Sequence, residues 1–382
     1  MHIGLYVLDG ISPSPRVEMK FETQNNDPVN ENDLVNESFG GAPSKATRRH
    51  AMFKSFFGVQ DPRVLSPFKK THPNFKIDLF FNHLLQTFKS MWDLGEKISF
   101  DEATRGFKGK HSLKSVIKYK KEGDGYLLDC IGDDGFIYTF FLRTTPAPKK
   151  WIEKGFCPTQ ARVLFLFEQL PCKLHTCYLD NLFMSTNICR TAYVELQSRV
   201  KMHGVTRAKD RGLPDFVIQQ EETGKLKKQQ AIGTIKAGVI EGDRLCPGLV
   251  CCSIYDTKPV HFLTMASEEI KWMTKERYVY DTKKNTKVAM EFHRTNLQDE
   301  YNYGMNKIDL GDQLRNYYRM DRWKRQFKWW FALWMWGFEV SLVNAYITYV
   351  KMCMNIYKME KKNVWTHYEF QKWVALGWIS SK

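Results

Sequence analysis

The chain has 382 residues, 43% hydrophobic and 14% aromatic, enough to bury a sizeable core and to form two or three domains. Lys and Arg number 57 against 42 acidic residues, a formal charge of +15 with a pI near 9.2, which favours nucleic acid or an anionic surface as partner. Nine cysteines without any CxxC spacing read as free thiols in a reducing compartment and exclude a disulfide framework.

The amino-terminal MHIGLYVLDG carries no basic region ahead of a long apolar stretch, so it is no secretory signal. Residues 1–45, rich in Asn, Asp, Glu, Ser, Pro and Gly, show no periodicity and are expected to form a mostly disordered leader. From RRHAMFKSFFGVQDP onward the pattern turns helical. FKIDLFFNHLLQTFKSMWDLG places apolar residues three and four apart, and Gly95 stops that helix.

KISFDEATRGFKGK begins with strand spacing: Ile98 and Phe100 alternate with Ser99 and Asp101, which sets Asp101 on the face opposite the two apolar side chains. SLKSVIKYKK, GYLLDCIG and GFIYTFFLR follow, divided by the turn signals EGDG and DDG, and read as an antiparallel meander. CPTQARVLFLFEQLP is a helix closed by Pro171, HTCYLDNLF a strand, and NICRTAYVELQ a helix. This first part of the core spans 46–200.

Residues 201–280 differ. GTIKAGVI, LVCCSIYD and PVHFLTMA are short strands among polar loops, expected to form a β-rich insertion with a lobe of its own. Helical periodicity returns in MNKIDLGDQLRNYYRMDRWKRQFKWWFALW, so 281–357 completes the core and 358–382 is a tail. Phe327 to Val350 is long enough to span a bilayer, but Lys328, Glu339 and Asn344 interrupt it and its tryptophans cluster at one end. It reads as a buried core helix, and no membrane is expected. The order of elements predicts a mixed α/β core whose fourth strand packs beside the first.

That arrangement gives meaning to three acidic positions. Asp180, at the end of HTCYLD, reads by itself as a turn former or a cap. With strands one and four adjacent, however, Asp101 and Asp180 meet at one edge of the sheet. A helix across that edge brings Asp309, with Asp312 one turn later on the same face. Like charges gathered in this way raise pKa values or bind cations, and hard oxygen donors suit Mg²⁺ or Mn²⁺. Lys108 and Lys110 follow Asp101, and Arg315, Arg319, Arg322, Lys324 and Arg325 follow Asp312. At helical spacing Arg315, Arg319 and Arg322 form one stripe, either a track for the DNA backbone or a solvated face that balances the acidic site. His175 and His203 lack partners at ligand spacing and are expected to serve packing and hydrogen bonding.

The blocks ISFDEATRGFKGK, HTCYLDNLFMSTN and YNYGMNKIDLGDQLRNYY, followed by WW…LVNAYITY, resemble the successive signature blocks of piggyBac-type transposases. RRHAMFKSFFGVQDP, GTIKA and DTKPVHFLTM add to the likeness, which covers roughly 46–352. The resemblance implies a ribonuclease H-like catalytic core interrupted by a β-rich insertion and an Asp triad at Asp101, Asp180 and Asp309, assisted by Asp312. It also implies two divalent ions, double-stranded DNA as partner (transposon ends and target), a homodimer and a nuclear location. The family's typical last motif has Gly-Gly-Val before the Asp; here the residues are Asn306, Lys307 and Ile308. The Cys/His-rich spacing of the family's end-reading zinc domain is not found, so a transposase-derived DNA-binding protein without transposition activity stands as the alternative.

Overall fold

The computed structural model describes residues 2–11, 48, 52, 57–59, 73–116, 123–210, 212–218, 233–240, 243–256, 258–267, 269–281, 284–320 and 328–380. In chain order the elements begin with α1 (His2–Ile11), α2 (Asp78–Met91), β1 (Lys97–Gly106), β2 (Gly125–Asp133) and β3 (Phe136–Leu142). Then come α3 (Lys149–Glu153), α4 (Pro158–Glu168), β4 (His175–Leu179), α5 (Thr186–Glu195) and β5 (Val200–Thr206). Strands β6 (Ile235–Ile240), β7 (Leu249–Tyr255), β8 (Pro259–Thr264), β9 (Trp272–Asp281) and β10 (Thr286–Thr295) follow, then α6 (Asn296–Tyr317), α7 (Trp329–Lys351) and α8 (His367–Ser380).

Eight strands form one mixed sheet in the order β3-β2-β1-β4-β5-β8-β7-β6. β1 pairs antiparallel with β2 and parallel with β4, and β4 pairs parallel with β5. The adjacency of first and fourth strands expected from the sequence is therefore present. β2 and β3 are buried along their whole length, which explains why GYLLDCIG and FIYTFFL read as nearly unbroken apolar runs rather than alternating ones. SLKSVIKYKK contributes only an isolated bridge, Ser115 to Gly125, among the described residues.

The segment expected to form a separate β lobe does not do so. β5 belongs to the core sheet, and β8, β7 and β6 continue it on the antiparallel side, with His203 opposite Thr264 where β5 meets β8. β5, β7 and β8 carry enough buried apolar residues (Val200, Met202, Leu249, Cys251, Phe262 and Leu263) to be held as inner strands, which their short length concealed. Only the hairpin β9–β10 forms a second sheet, and its second strand reaches Thr295, past the boundary expected at 280. QQEETGKLKKQQ lies outside the described residues.

Both chain ends also depart from expectation. Residues 2–11, placed in a disordered leader, form α1, whose Tyr6, Val7 and Leu8 are fully buried. The supposed tail carries α8, against which α1 packs so closely that a Cβ on Gly4 would stand 2.7 Å from the Ala375 carbonyl oxygen. Each helix offers an apolar face too short to be read as core until the other covers it. Helix α7 is the buried core helix anticipated: Trp330, Trp334 and Trp336 are inside. No helix among the described residues is long and apolar enough to cross a membrane.

Candidate active site

β1 and β4 run parallel in register up to the pair Phe100–Leu179, and the next residue on each is an aspartate. Asp101 thus sits mid-strand in β1 rather than at its end, at the point where the β4 partner stops; β1 continues alone beside β2 to Gly106. Asp180 leaves β4 in a turn. Its side chain accepts from the Leu182 N–H, and its carbonyl accepts from Phe183 N (3.1 Å) and Met184 N (3.0 Å). The turn-forming role that a lone Asp suggests is therefore real.

Helix α6 supplies the third acid. It lies on the sheet through a stripe spaced three and four apart: Gly304, Lys307, Ile308, Gly311 and Arg315. Two glycines permit close approach. A Cβ on Gly304 would stand 2.1 Å from the Tyr178 ring of β4, and one on Gly311 would stand 2.3 Å from the Gly135 carbonyl oxygen in the β2–β3 turn. Within the stripe Lys307 grips that turn, while Asp309, one residue beyond Ile308, is exposed and near enough to Asp101 to act on it by charge.

The charges register this convergence. The Asp101 carboxyl is pushed up to about 7, first by burial and then by the neighbouring charges of Asp309, Asp180 and Glu102, against the Glu102 N–H donating to it at 2.7 Å. Asp101 and Asp180 also raise Tyr301, a residue of α6 whose phenol burial already pushes up. Asp312 is near enough to raise the Cys130 thiol, which pairs across from Asp101. Among the described residues no group of three His, Cys, Asp or Glu side chains has metal-holding geometry, so the three aspartates are electrostatic neighbours rather than a preformed cage. The donor set nevertheless fits a hard divalent cation. It offers carboxylate oxygens only, and its most buried member bears repulsion that a cation relieves.

Asp312 is held differently. Arg315 Nε donates to it at 3.2 Å, and Arg315 also reaches Glu339 at 3.4 Å. Glu339 is buried in α7, accepts from Arg105 of β1 at 2.9 Å and from the Met320 N–H at 3.1 Å. This chain of charges ties the strand of Asp101 to the helix of Asp309 and Asp312. It corrects the sequence reading of Arg315 as a phosphate contact: the guanidinium is 3% exposed and committed to carboxylates. The proposed stripe fails for a second reason, since α6 ends at Tyr317 and Arg319 lies beyond it. Arg322, Lys324 and Arg325 lie outside the described residues. Lys108 and Lys110 are exposed, past the end of β1 and seven and nine residues along the chain from Asp101.

Sequence reasoning missed a network on the other face of β1. Asp129, fully buried, accepts from Arg143 Nη2 and from Arg162 Nε, both at 2.6 Å, and Arg143 pairs with Glu102 at 3.0 Å. Adjacent Asp and Glu in FDEATRG gave no sign that only the first faces the acidic cluster; strand alternation separates them. His175 and His203 bond to the Gly95 (2.8 Å) and Leu297 (2.9 Å) carbonyls, as their isolation suggested.

One aspartate on β1, a second just past the end of the parallel β4 and a third on the crossing helix α6 bring three carboxylates together at one face of a mixed sheet. The family described as Transposase IS4 matches residues 3–346, and the chain belongs to that family of DDE transposases. Membership implies dependence on a divalent metal. The fold is similar to that of a piggyBac transposase in a synaptic complex with hairpin DNA, solved by cryo-electron microscopy. The TM-score is 0.74 at 14% identity, over 99% of this chain and 70% of that one.

Proposed function

We propose that this protein cleaves and joins DNA strands as a piggyBac-like transposase, with Asp101, Asp180 and Asp309 holding two divalent ions, Mg²⁺ or Mn²⁺, and Asp312 assisting. The observation that carries the reading is the juxtaposition of Asp101 on β1 with Asp180 just past the end of the parallel β4, with Asp309 close enough to raise Asp101 by charge. When bound, the ions supply Lewis-acid polarisation of a phosphodiester and clamp its attacking and leaving oxygens. The chain's own residues hold the geometry. Asp101 is fixed on a strand, Asp180 by its turn, and Asp309 by the close seating of α6 on Tyr178 and Gly135. No protein nucleophile is required.

The partner in this reading is double-stranded DNA, as transposon ends and as target, approached by a chain of net charge +15 with Lys108 and Lys110 among the exposed cations. A homodimer working on chromosomal DNA in the nucleus completes the proposal. The test is strand nicking of a duplex in Mg²⁺ or Mn²⁺ with Asp180→Ala as control. Nicking that depends on metal and on Asp180 supports the reading; a wild-type chain that binds duplex DNA but never nicks it overturns the reading.

A further inference from the structure

We infer that Lys307 is the positioning residue of the third carboxylate: its clamp on Asp133 and Asp134 sets the rotation of α6 and with it the place of Asp309. The inference rests on the metal-binding role proposed above for Asp309.

Three observations meet at this residue. Lys307 is a lysine at the contact of helix and sheet, 8% exposed, where burial of an ammonium is costly unless it is paired. Its Nζ lies 2.9 Å from Asp133 Oδ1 and 2.6 Å from Asp134 Oδ1, and its carbonyl accepts from the Gly135 N–H at 2.7 Å. Side chain and backbone of one residue therefore fasten the helix to three successive residues of the β2–β3 turn. Asp133 is itself anchored: its Oδ2 accepts from the Gly95 N–H at 3.0 Å and the Trp92 indole N–H at 3.4 Å. The grip is transmitted to fixed parts of the core rather than to a loose loop.

The helical geometry turns this grip into control of Asp309. At 100° per residue, Lys307 and Asp309 stand about 160° apart around α6, with Ile308 midway between them: Lys307 within the buried stripe and Asp309 outside it. The glycine contacts at 304 and 311 set how close the helix lies, but smooth apposition resists rolling weakly. Lys307 fixes the roll near Asp309, as the buried Arg315–Glu339 pair does nearer the end of the helix. A roll of about 20° carries a carboxylate roughly 5 Å from the helix axis by nearly 2 Å. A misplacement of ~1 Å costs on the order of 10²-fold in rate where reacting groups must be held in place.

The test uses the full chain with Lys307→Met, Lys307→Arg and Asp134→Asn. Asp134 is half-exposed at φ 51°, a conformation asparagine accepts, so the last variant weakens the clamp without emptying a buried site. Mn²⁺ affinity is read by electron paramagnetic resonance, nicking by kcat and KM separately, and folding by circular dichroism. The expected result is a 10- to 100-fold loss in Mn²⁺ affinity and kcat for Lys307→Met, with duplex KM unchanged. Lys307→Arg restores most of it, and Asp134→Asn gives a smaller loss in the same direction. Folded Lys307→Met or Asp134→Asn that bind Mn²⁺ and cleave like the wild type overturn the clamp while leaving the function intact. If Lys307→Met does not fold, Asp134→Asn decides. A wild-type chain that neither binds Mn²⁺ nor nicks overturns both.

Discussion

Gly311 of α6 rests on Gly135 of the β2–β3 turn, so near that a methyl group on Gly311 would stand 2.3 Å from the Gly135 carbonyl oxygen. Gly311 separates the motif's acids only in sequence; its physical task is to let the helix that bears them touch backbone. Gly311→Ala is therefore expected to lift α6 and destabilise the fold by about 1–3 kcal/mol through overpacking. Urea unfolding measures the cost, and nicking should fall by more than the stability loss explains. An alanine variant with wild-type stability and cleavage would contradict this.

Glu339 pairs with two buried guanidinium groups, Arg105 and Arg315, the second of which Asp312 shares. Glu339→Gln keeps the shape and removes the charge, taking from Arg105 the carboxylate it meets at 2.9 Å and leaving Arg315 to Asp312. We expect a loss of about 3–5 kcal/mol, readable as a shift in denaturation midpoint without a change in slope. A surface-like loss of a few tenths of a kcal/mol would show that water reaches the cluster.

His367, buried beside Tyr346 and Gln371, has its imidazole pushed down from the usual 6.5 to about 4 by burial. A folded pKa below the unfolded one means that the unfolded chain takes up a proton first as pH falls. Stability from this residue is thus complete above about 6.5 and lost progressively toward pH 4, to about 3 kcal/mol. Unfolding free energies at pH 7 and pH 4.5 should converge by most of that amount in His367→Gln relative to wild type. An unchanged pH slope would place the imidazole in contact with solvent.

Asp309→Ala is expected to abolish nicking while leaving duplex affinity equal or slightly higher, because it removes a proposed ligand and a negative charge together. Replacing Lys108 and Lys110 by alanine should instead weaken binding to all sequences alike and lower the log–log salt slope by roughly 2. Arg315→Ala belongs with neither group. Its buried pairing with Glu339 predicts a loss of stability, visible in unfolding rather than in the salt slope.

How far the candidate site could be read from the chain depended on the range of the interactions involved. Asp101 and Asp180 were legible because strand alternation and apolar runs are local patterns, and one topological step, the fourth strand beside the first, brought them together. Asp309 was legible as an acid one turn before another on a helix. The role of Lys307 was not, since a lysine in MNKIDLG carries no sign of aspartates at 133 and 134.

The sequence by itself determined the alternation of strands and helices, the burial of the Trp-rich helix and the identities of the acidic residues, all set by side-chain periodicity within single elements. The tertiary structure alone decided that β6–β8 extend the core sheet, that the first and last helices cover one another, and that Arg315 faces inward. Each of those outcomes rests on partners distant in the chain. Arg105 meets Glu339 across 234 residues, and Lys307 meets Asp133 across 174. A charge on a helix surface reads the same from its neighbours whether solvent or a buried carboxylate awaits it, and only folding supplies the one or the other.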